Sequence, residues 1–236
     1  MLKILRIEEN KYRNIYVISD IHAHGDLLEK LLEKIEYSKE DLFLILGDSC
    51  DRGNELEKTY EILFKLQKES NLIHLIGNHE KMLEDYYMGI ERETYLINEN
   101  DSKKTREILD SNENLKDKIL DFIYEMPHIV YSENYIFVHA GIDKKLSLEN
   151  QDEKYILWTR DRFWLDKSSK NNKIIVFGHR IQEYGNIKVD NFYNFAREKV
   201  NKKSAFASSL LYFEDDQNIW EVPKYISEGL LWLREQ

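Results

Sequence analysis

Asp20, His22, Asp48, Asp51, Asn78, His79, His139 and His179 are the residues of this chain whose types and spacing could do chemistry. They fall in five short segments: Ser19-Asp20-Ile21-His22, Gly47-Asp48-Ser49-Cys50-Asp51-Arg52-Gly53, Gly77-Asn78-His79-Glu80, His139-Ala140-Gly141 and Gly178-His179. Each segment offers hard oxygen or imidazole nitrogen donors, the kinds that hold divalent cations. A single Asp or His after a strand is more often structural. Five such segments in order point to a dinuclear metal centre.

Each segment follows an apolar run that reads as a strand. Ile15-Tyr16-Val17-Ile18, Leu42-Phe43-Leu44-Ile45-Leu46, Leu72-Ile73-His74-Leu75-Ile76, Tyr135-Ile136-Phe137-Val138 and Ile174-Ile175-Val176-Phe177 are short and rich in β-branched and aromatic residues. Between the first three lie helical patterns, Leu27-Leu28-Leu31-Leu32-Ile35 and Leu56-Tyr60-Leu63-Phe64-Leu66, with apolar residues three or four apart. That β-α-β-α-β order implies parallel strands with right-handed crossovers, and parallel strands deliver their C-terminal ends to one sheet edge. From about 81 to 126 the texture becomes charged and helical with a single glycine, Gly89, which reads as a helical cap inserted between two halves of a core. Pro127 closes it and strands resume near Ile129. Ile187 to Val189, Ala205 to Phe213 and Ile219 to Val222 are expected to form an antiparallel set, with Asp215-Asp216-Gln217-Asn218 as a hairpin turn.

At 236 residues the chain can bury a sizeable core, and it is read as one domain over 1–236 with the cap inside it. The formal net charge of -10 disfavours sequence-independent binding to nucleic acid. Cys50 is the only cysteine, so no internal disulfide can form, which fits a reducing cytoplasm. The first residues hold no apolar core of signal-peptide length, and no run approaches ~18–20 apolar residues, so neither a leader nor a membrane span is expected. Oligomeric state is not legible.

The five segments resemble the phosphoprotein phosphatase branch of the calcineurin-like metallophosphoesterases. That family carries, in order, an Asp-x-His-Gly box, a Gly-Asp-x-x-Asp-Arg-Gly box, a Gly-Asn-His-Glu box, a His-(Gly or Ala)-Gly box and a late Gly-His. The span from Asp20 to His179 is about two-thirds of the chain. Broader metallophosphoesterases usually end the third box in Asp and lack the Asp-Arg-Gly run, so Glu80 and Asp51-Arg52-Gly53 favour the phosphatase branch.

The resemblance implies a four-layer α/β/β/α sandwich of two mixed sheets flanked by helices, with metals at the strand C-termini. It assigns Asp20, His22 and a bridging Asp48 to one ion, and Asp48, Asn78, His139 and His179 to the other. Mixed carboxylate, amide and imidazole ligands suit Mn²⁺, or iron paired with manganese or zinc, better than magnesium alone. The implied reaction is hydrolysis of a phosphomonoester by direct attack of a metal-bridging hydroxide, without a phosphoenzyme. His79 resembles the general acid, oriented by Asp51, and Arg52 resembles a two-pronged phosphate clamp. A second clamp falls in Trp158-Thr159-Arg160, with Arg162 the weaker candidate.

Three positions depart from the family pattern. Ala23 replaces the first box's glycine, implying a looser turn or an ordinary φ. Arg180 replaces the usual Thr, and Val189-Asp190-Asn191-Phe192 lacks a glycine. His74 and His128 read as structural, His24 as solvent-facing or at the cleft rim, and Cys50 as a small buried side chain. The leading substrate is phosphoserine or phosphothreonine in proteins. The main alternative is a symmetrical diadenosine tetraphosphate hydrolase, for which Tyr86, Tyr87, Tyr95 and Arg92 offer stacking and cationic groups. A non-catalytic binding module of the same fold is a third reading, disfavoured because every ligand position is kept.

Overall fold

Apolar β-branched runs and amphipathic helices build a first sheet whose strands all point one way. The protein is described by a computed structural model at residues 1–97, 99–160, 173–179 and 204–206. Strands β2 (Ile15–Ile18), β3 (Leu42–Ile45) and β4 (Asn71–His74) pair in parallel, joined by α1 (Gly25–Lys34) and α2 (Leu56–Glu69). β3 is fully buried, as expected of a central parallel strand. α1 turns Leu28 and Leu31 inward and α2 turns Leu56, Tyr60 and Leu63. Each such side chain contributes about 1.5–3 kcal/mol on leaving water. The two helices pack on each other, and α2 lies against β4.

The second sheet runs β1 (Ile4–Arg6), β5 (Ile129–Tyr131), β6 (Tyr135–Val138), β7 (Ile174–Phe177) and β8 (Ser204–Phe206). Among the described strands only β5–β6 is antiparallel; β1–β5, β6–β7 and β7–β8 are parallel. Residues of both sheets share one apolar core, with Ile18, Phe43, Ile45, Phe137, Val138 and Phe177 all inside it. The result is a mixed α/β fold with parallel-rich sheets.

One expectation is corrected, and two strands add to the sequence reading. Among the described residues the first sheet is purely parallel, so only the second is mixed. Ser204–Phe206, which overlaps the start of the expected Ala205 to Phe213 strand, runs parallel to β7, a pairing that the expectation of an antiparallel set among the C-terminal strands did not address. About 26 residues separate it from Phe177, enough for the crossover that a parallel neighbour requires; the rest of that set lies outside the described residues. β1 was not expected, since three residues with one charge carry no readable alternation.

Between β4 and β5 the chain is helical: α3 (Asn78–Met88), α4 (Glu93–Ile97), α5 (Glu99–Ser111) and α6 (Glu113–Glu125). α3 packs on α4 and α6, and α5 on both α4 and α6. Among the described residues no helix is long and apolar enough to cross a membrane.

Candidate metal centre

Register brings the segments together. Ile18, Ile45 and His74 are level across the first sheet, so the residues that follow each emerge at one edge. Val138 and Phe177 are level in the second sheet, and His139 and His179 emerge side by side. Backbone bonds carry each ladder past its strands: Asp20 N–H donates to Gly47 O at 3.0 Å in the first sheet, and Gly178 N–H to His139 O at 2.7 Å in the second. His179 N–H donates to Asp20 Oδ2 at 3.2 Å across 159 residues of sequence.

The loops that carry the side chains are wound left-handed. Asp20, His22, Ala23, Asp48, Asp51, Arg52 and His179 all have φ between 47° and 67°. Each such conformation costs a residue with a Cβ about 1 kcal/mol, and its clustering at one site is the mark of a functional constraint. Ala23 keeps a φ of 54°, so the ordinary φ that its side chain suggested is not found. Two glycines are obligatory here. Gly47 has a φ of 104° and a Cβ there would stand 2.6 Å from Gly77 Cα, while a Cβ on Gly77 would stand 2.2 Å from Asp48 Oδ1.

One group of donors surrounds His139 Nε2. Asn78 Oδ1 lies 2.9 Å away, His179 Nδ1 3.1 Å and Asp48 Oδ2 3.4 Å. His139 Nδ1 is paired with Leu46 O at 2.6 Å, so it is the protonated nitrogen and Nε2 presents a lone pair. A lone pair facing an amide oxygen and a carboxylate is repulsive unless a cation sits among them. Ligands of one ion at about 2.1 Å lie about 3 Å from their neighbours, which is the spacing found. Burial pushes the buried Asp48 carboxyl up to about 6, against the pull of His139 and His79. Burial, with His139 and Arg160 nearby, pushes the His179 imidazolium down to about 2.

The second group centres on His22. Its Nδ1 pairs with Cys50 O at 2.9 Å, and its buried Nε2 has no hydrogen-bond partner among the described residues. Asp20 Oδ1 and Asp48 Oδ2 lie 3.9 and 3.8 Å from that nitrogen, too far for hydrogen bonds and suited to ligands sharing an ion. Burial, with His79 and Arg52 near, holds the His22 pKa well below its usual value, so the lone pair is kept free. His22, Asp48 and His79 each present a ligand atom within 4.8 Å of the others, as do Asp48, His139 and His179. The donor sets therefore fit two cations that share Asp48.

His79 is close enough to be a ligand, yet its ring is otherwise engaged. Its Nδ1 is 2.7 Å from Asp51 Oδ2, and Arg52 Nη2 lies 3.4 Å from its Nε2. Burial lowers its pKa, but Asp48 and the Asp51 hydrogen bond outweigh that and lift it to about 9. The backbone N–H of His79, in the first turn of α3, donates to Asp48 Oδ1 at 3.1 Å. Arg52 is held by Asp101 Oδ2 at 3.1 Å from its Nε. Arg160 follows α7 (Glu153–Trp158) and is exposed, with Trp158 edge-on to His179 at 6.3 Å between rings. Arg162, Arg180 and the 189–192 segment lie outside the described residues.

The histidines away from the centre divide. Buried His74 pairs with Ser49 Oγ and Leu75 O, and His128 with Lys3 N–H and Glu153. Both are structural. His24 is not solvent-facing: it is buried at the start of α1 with Nδ1 3.0 Å from Ile21 O. Cys50 is fully buried and its thiol is pushed far up by burial, as a small apolar side chain should be.

Two features of the site escaped the sequence. Glu80, read only as a branch marker, accepts the N–H groups of Asp48 at 2.7 Å, Ser49 at 2.6 Å and Gly77 at 2.9 Å. Its charge inside the motif was the available signal. Tyr95 is fully buried and donates its hydroxyl to Asp51 Oδ1 at 2.6 Å, which removes it from the stacking groups expected for a nucleotide. No local signal marks it, because the contact spans 44 residues.

Residues 13–206 match the family model described as calcineurin-like phosphoesterase. Serine/threonine-protein phosphatase 2 of Salmonella typhimurium is 28% identical over 199 residues, covering 78% of this chain and 87% of that protein. The symmetrical bis(5'-nucleosyl)-tetraphosphatase of Pasteurella multocida is 26% identical over 132 residues, which cover 54% of this chain and 44% of that protein. A crystal structure of a candidate diadenosine tetraphosphatase shares the fold with a TM-score of 0.61, at 16% identity over 89% of each chain. This chain belongs to the calcineurin-like phosphoesterases, a family of dinuclear metal-dependent hydrolases.

Proposed function

We propose that the protein hydrolyses phosphomonoesters at a two-metal site, with phosphoserine and phosphothreonine in proteins as substrates. The observation that carries this reading is the convergence of His79, Asp51 and Arg52 on the rim of the donor sets around His22 and His139. Asp20, His22 and Asp48 would hold one ion, and Asp48, Asn78, His139 and His179 the other. When bound, the ions supply Lewis acidity toward phosphoryl oxygens and an activated water. We take them to be manganese, from the mixed oxygen and nitrogen donors.

The chain's own groups then divide the work. Arg52 and Arg160 grip phosphoryl oxygens and neutralise their charge, and a guanidinium does so with two prongs. His79 passes its Nε2 proton to the departing alkoxide and becomes neutral, while Asp51 keeps the Nδ1 proton in place. The charged helices from 81 to 126 form a cap that selects the substrate. The single buried Cys50 suits a reducing cytoplasm.

The protein-phosphatase relative aligns along 78% of this chain, the tetraphosphatase along 54%, and this favours the first. The nucleotide reading retains one support: Tyr86 has the Arg92 and Arg106 guanidinium carbons each 5.8 Å from its ring centre, a stacking face beside cations. The test is a panel of p-nitrophenyl phosphate, phosphopeptides and diadenosine tetraphosphate with chelated protein, before and after adding Mn²⁺. Mn²⁺-dependent turnover of phosphopeptides is expected. Full activity in chelated protein would overturn the metal reading, and faster turnover of the dinucleotide would overturn the substrate.

A further inference from the structure

Asp51 is a buried carboxylate that uses its two oxygens differently. Oδ2 faces His79 Nδ1 at 2.7 Å, and Oδ1 accepts the Tyr95 hydroxyl at 2.6 Å. Tyr95 comes from α4, in the helical region between the sheets, and is itself fully buried. Its backbone carbonyl accepts Ser102 Oγ–H at 3.0 Å, which ties the Tyr95 main chain to the start of α5. Two more bonds from the same region reach the same turn: Asp51 N–H donates to Thr105 Oγ1 at 3.1 Å, and Arg52 N–H to Asp101 O at 2.8 Å. That turn needs holding, because Asp51 and Arg52 both sit at left-handed φ, 67° and 65°.

We propose that Tyr95 is a positioning residue for the reaction: its hydroxyl orients Asp51 so that His79 presents Nε2 to the leaving oxygen, and the helices after β4 thereby set the acid as well as cover the site. This rests on the assignment of His79 as the acid. Without the phenol, Asp51 Oδ1 is a buried acceptor short of a donor, and the carboxylate is free to rotate away from Nδ1. Burial and the adjacent Asp51 carboxylate push the Tyr95 phenol well above its usual pKa, so it remains a donor at any working pH. Of Tyr95, Asp51 and His79 only His79 stands within reach of a donor set, and it is none of the residues assigned to the ions, so loss of the phenol should spare those residues.

The test is Tyr95→Phe, which removes one oxygen and keeps the ring. Its turnover of alkyl phosphates, which need a protonated leaving group, should fall roughly tenfold or more, with KM little changed. Turnover of p-nitrophenyl phosphate should fall about threefold or less, because that group leaves without a proton. Tyr37→Phe, which removes a hydroxyl bound to Asn71 O at 3.0 Å near the opposite ends of the strands, should leave the ratio of the two substrates unchanged. A second readout needs neither metal nor turnover: the downfield Nδ1 proton of His79 in the NMR spectrum of chelated protein should shift or broaden in Tyr95→Phe. If that variant does not fold, Ser102→Ala, which loosens the Tyr95 backbone, should give the same pattern more weakly. Equal losses on both substrates, or an unmoved His79 proton, would overturn the proposal. If the wild type hydrolyses neither substrate, the functional reading fails while the NMR arm still decides whether Tyr95 orients the Asp51–His79 pair.

Discussion

Glu80→Gln is the sharpest perturbation of the centre that leaves every candidate ligand side chain unchanged. The carboxylate is fully buried and accepts three backbone N–H groups, Oε1 from Ser49 and Oε2 from Asp48 and Gly77. An amide of the same shape has one acceptor oxygen. Placed at Oε2 it keeps two bonds and sets its NH₂ against the Ser49 N–H; placed at Oε1 it keeps one and opposes two. The better choice still loses one charge-assisted bond, about 1.5–3 kcal/mol, and weakens the other two. A loss of about 3 kcal/mol is expected in urea unfolding of chelated protein, as a lower midpoint with an unchanged slope. Since Glu80 fixes the backbone of Asp48, the shared carboxylate should also drift. Mn²⁺ affinity by titration calorimetry should then weaken about 10–100-fold, as for other groups that orient ligands. Glu80→Asp keeps the charge but is too short to span Ser49 and Gly77, and should fall between the two. If Glu80→Gln stays within 0.5 kcal/mol of wild type and binds Mn²⁺ equally well, Glu80 does not hold the Asp48 loop.

His79→Asn should slow phosphopeptide turnover by ~10²–10⁴-fold while both ions still bind by metal analysis; an equal loss on p-nitrophenyl phosphate would remove its role as the acid. Arg52→Ala and Arg160→Ala should each lower kcat/KM and weaken inhibition by inorganic phosphate, lysine should rescue only in part, and Arg162→Ala should be near silent. A crippling Arg162→Ala beside a harmless Arg160→Ala would move the second clamp. Away from the site, buried Asp41 accepts Arg13 Nε and Nη2 at 2.9 and 2.6 Å, as well as Asn14 Nδ2 and Ser38 N–H. Burial pushes its carboxyl up, but the Arg13 fork and the Ser38 and Asn14 donors outweigh that and hold it below 3.8. A depressed folded-state pKa stabilises above the unfolded value and is lost as pH falls through the folded one. Asp41→Asn should therefore cost about 2–4 kcal/mol at pH 7, with the gap to wild type closing below about pH 3.8. A constant gap down to pH 3 would refute this.

The five motif segments and the strands before them were legible because both are local. Ile15–Ile18, Tyr135–Val138 and Ile174–Phe177 stand where their apolar runs place them, since a buried parallel strand must be continuously apolar. The residue types of the donor sets follow from cation chemistry, which needs no coordinates. Other features depended on which distant segments meet. The parallel register that levels Ile18, Ile45 and His74 makes neighbours of Asp20 and Asp48, and the join of the two sheets makes neighbours of Asp20 and His179. The direction of β8, the burial of His24, and the turn of Ala23 into a left-handed φ were equally invisible, because each is imposed by packing against that edge. Glu80 and Tyr95 make the point most clearly. One lies inside a motif and the other 44 residues from the carboxylate it holds, yet both satisfy polar groups buried at a single place. Local sequence supplies the donors and acceptors; the cost of leaving them unpaired out of water decides which of them must meet, and only the folded chain shows the partners.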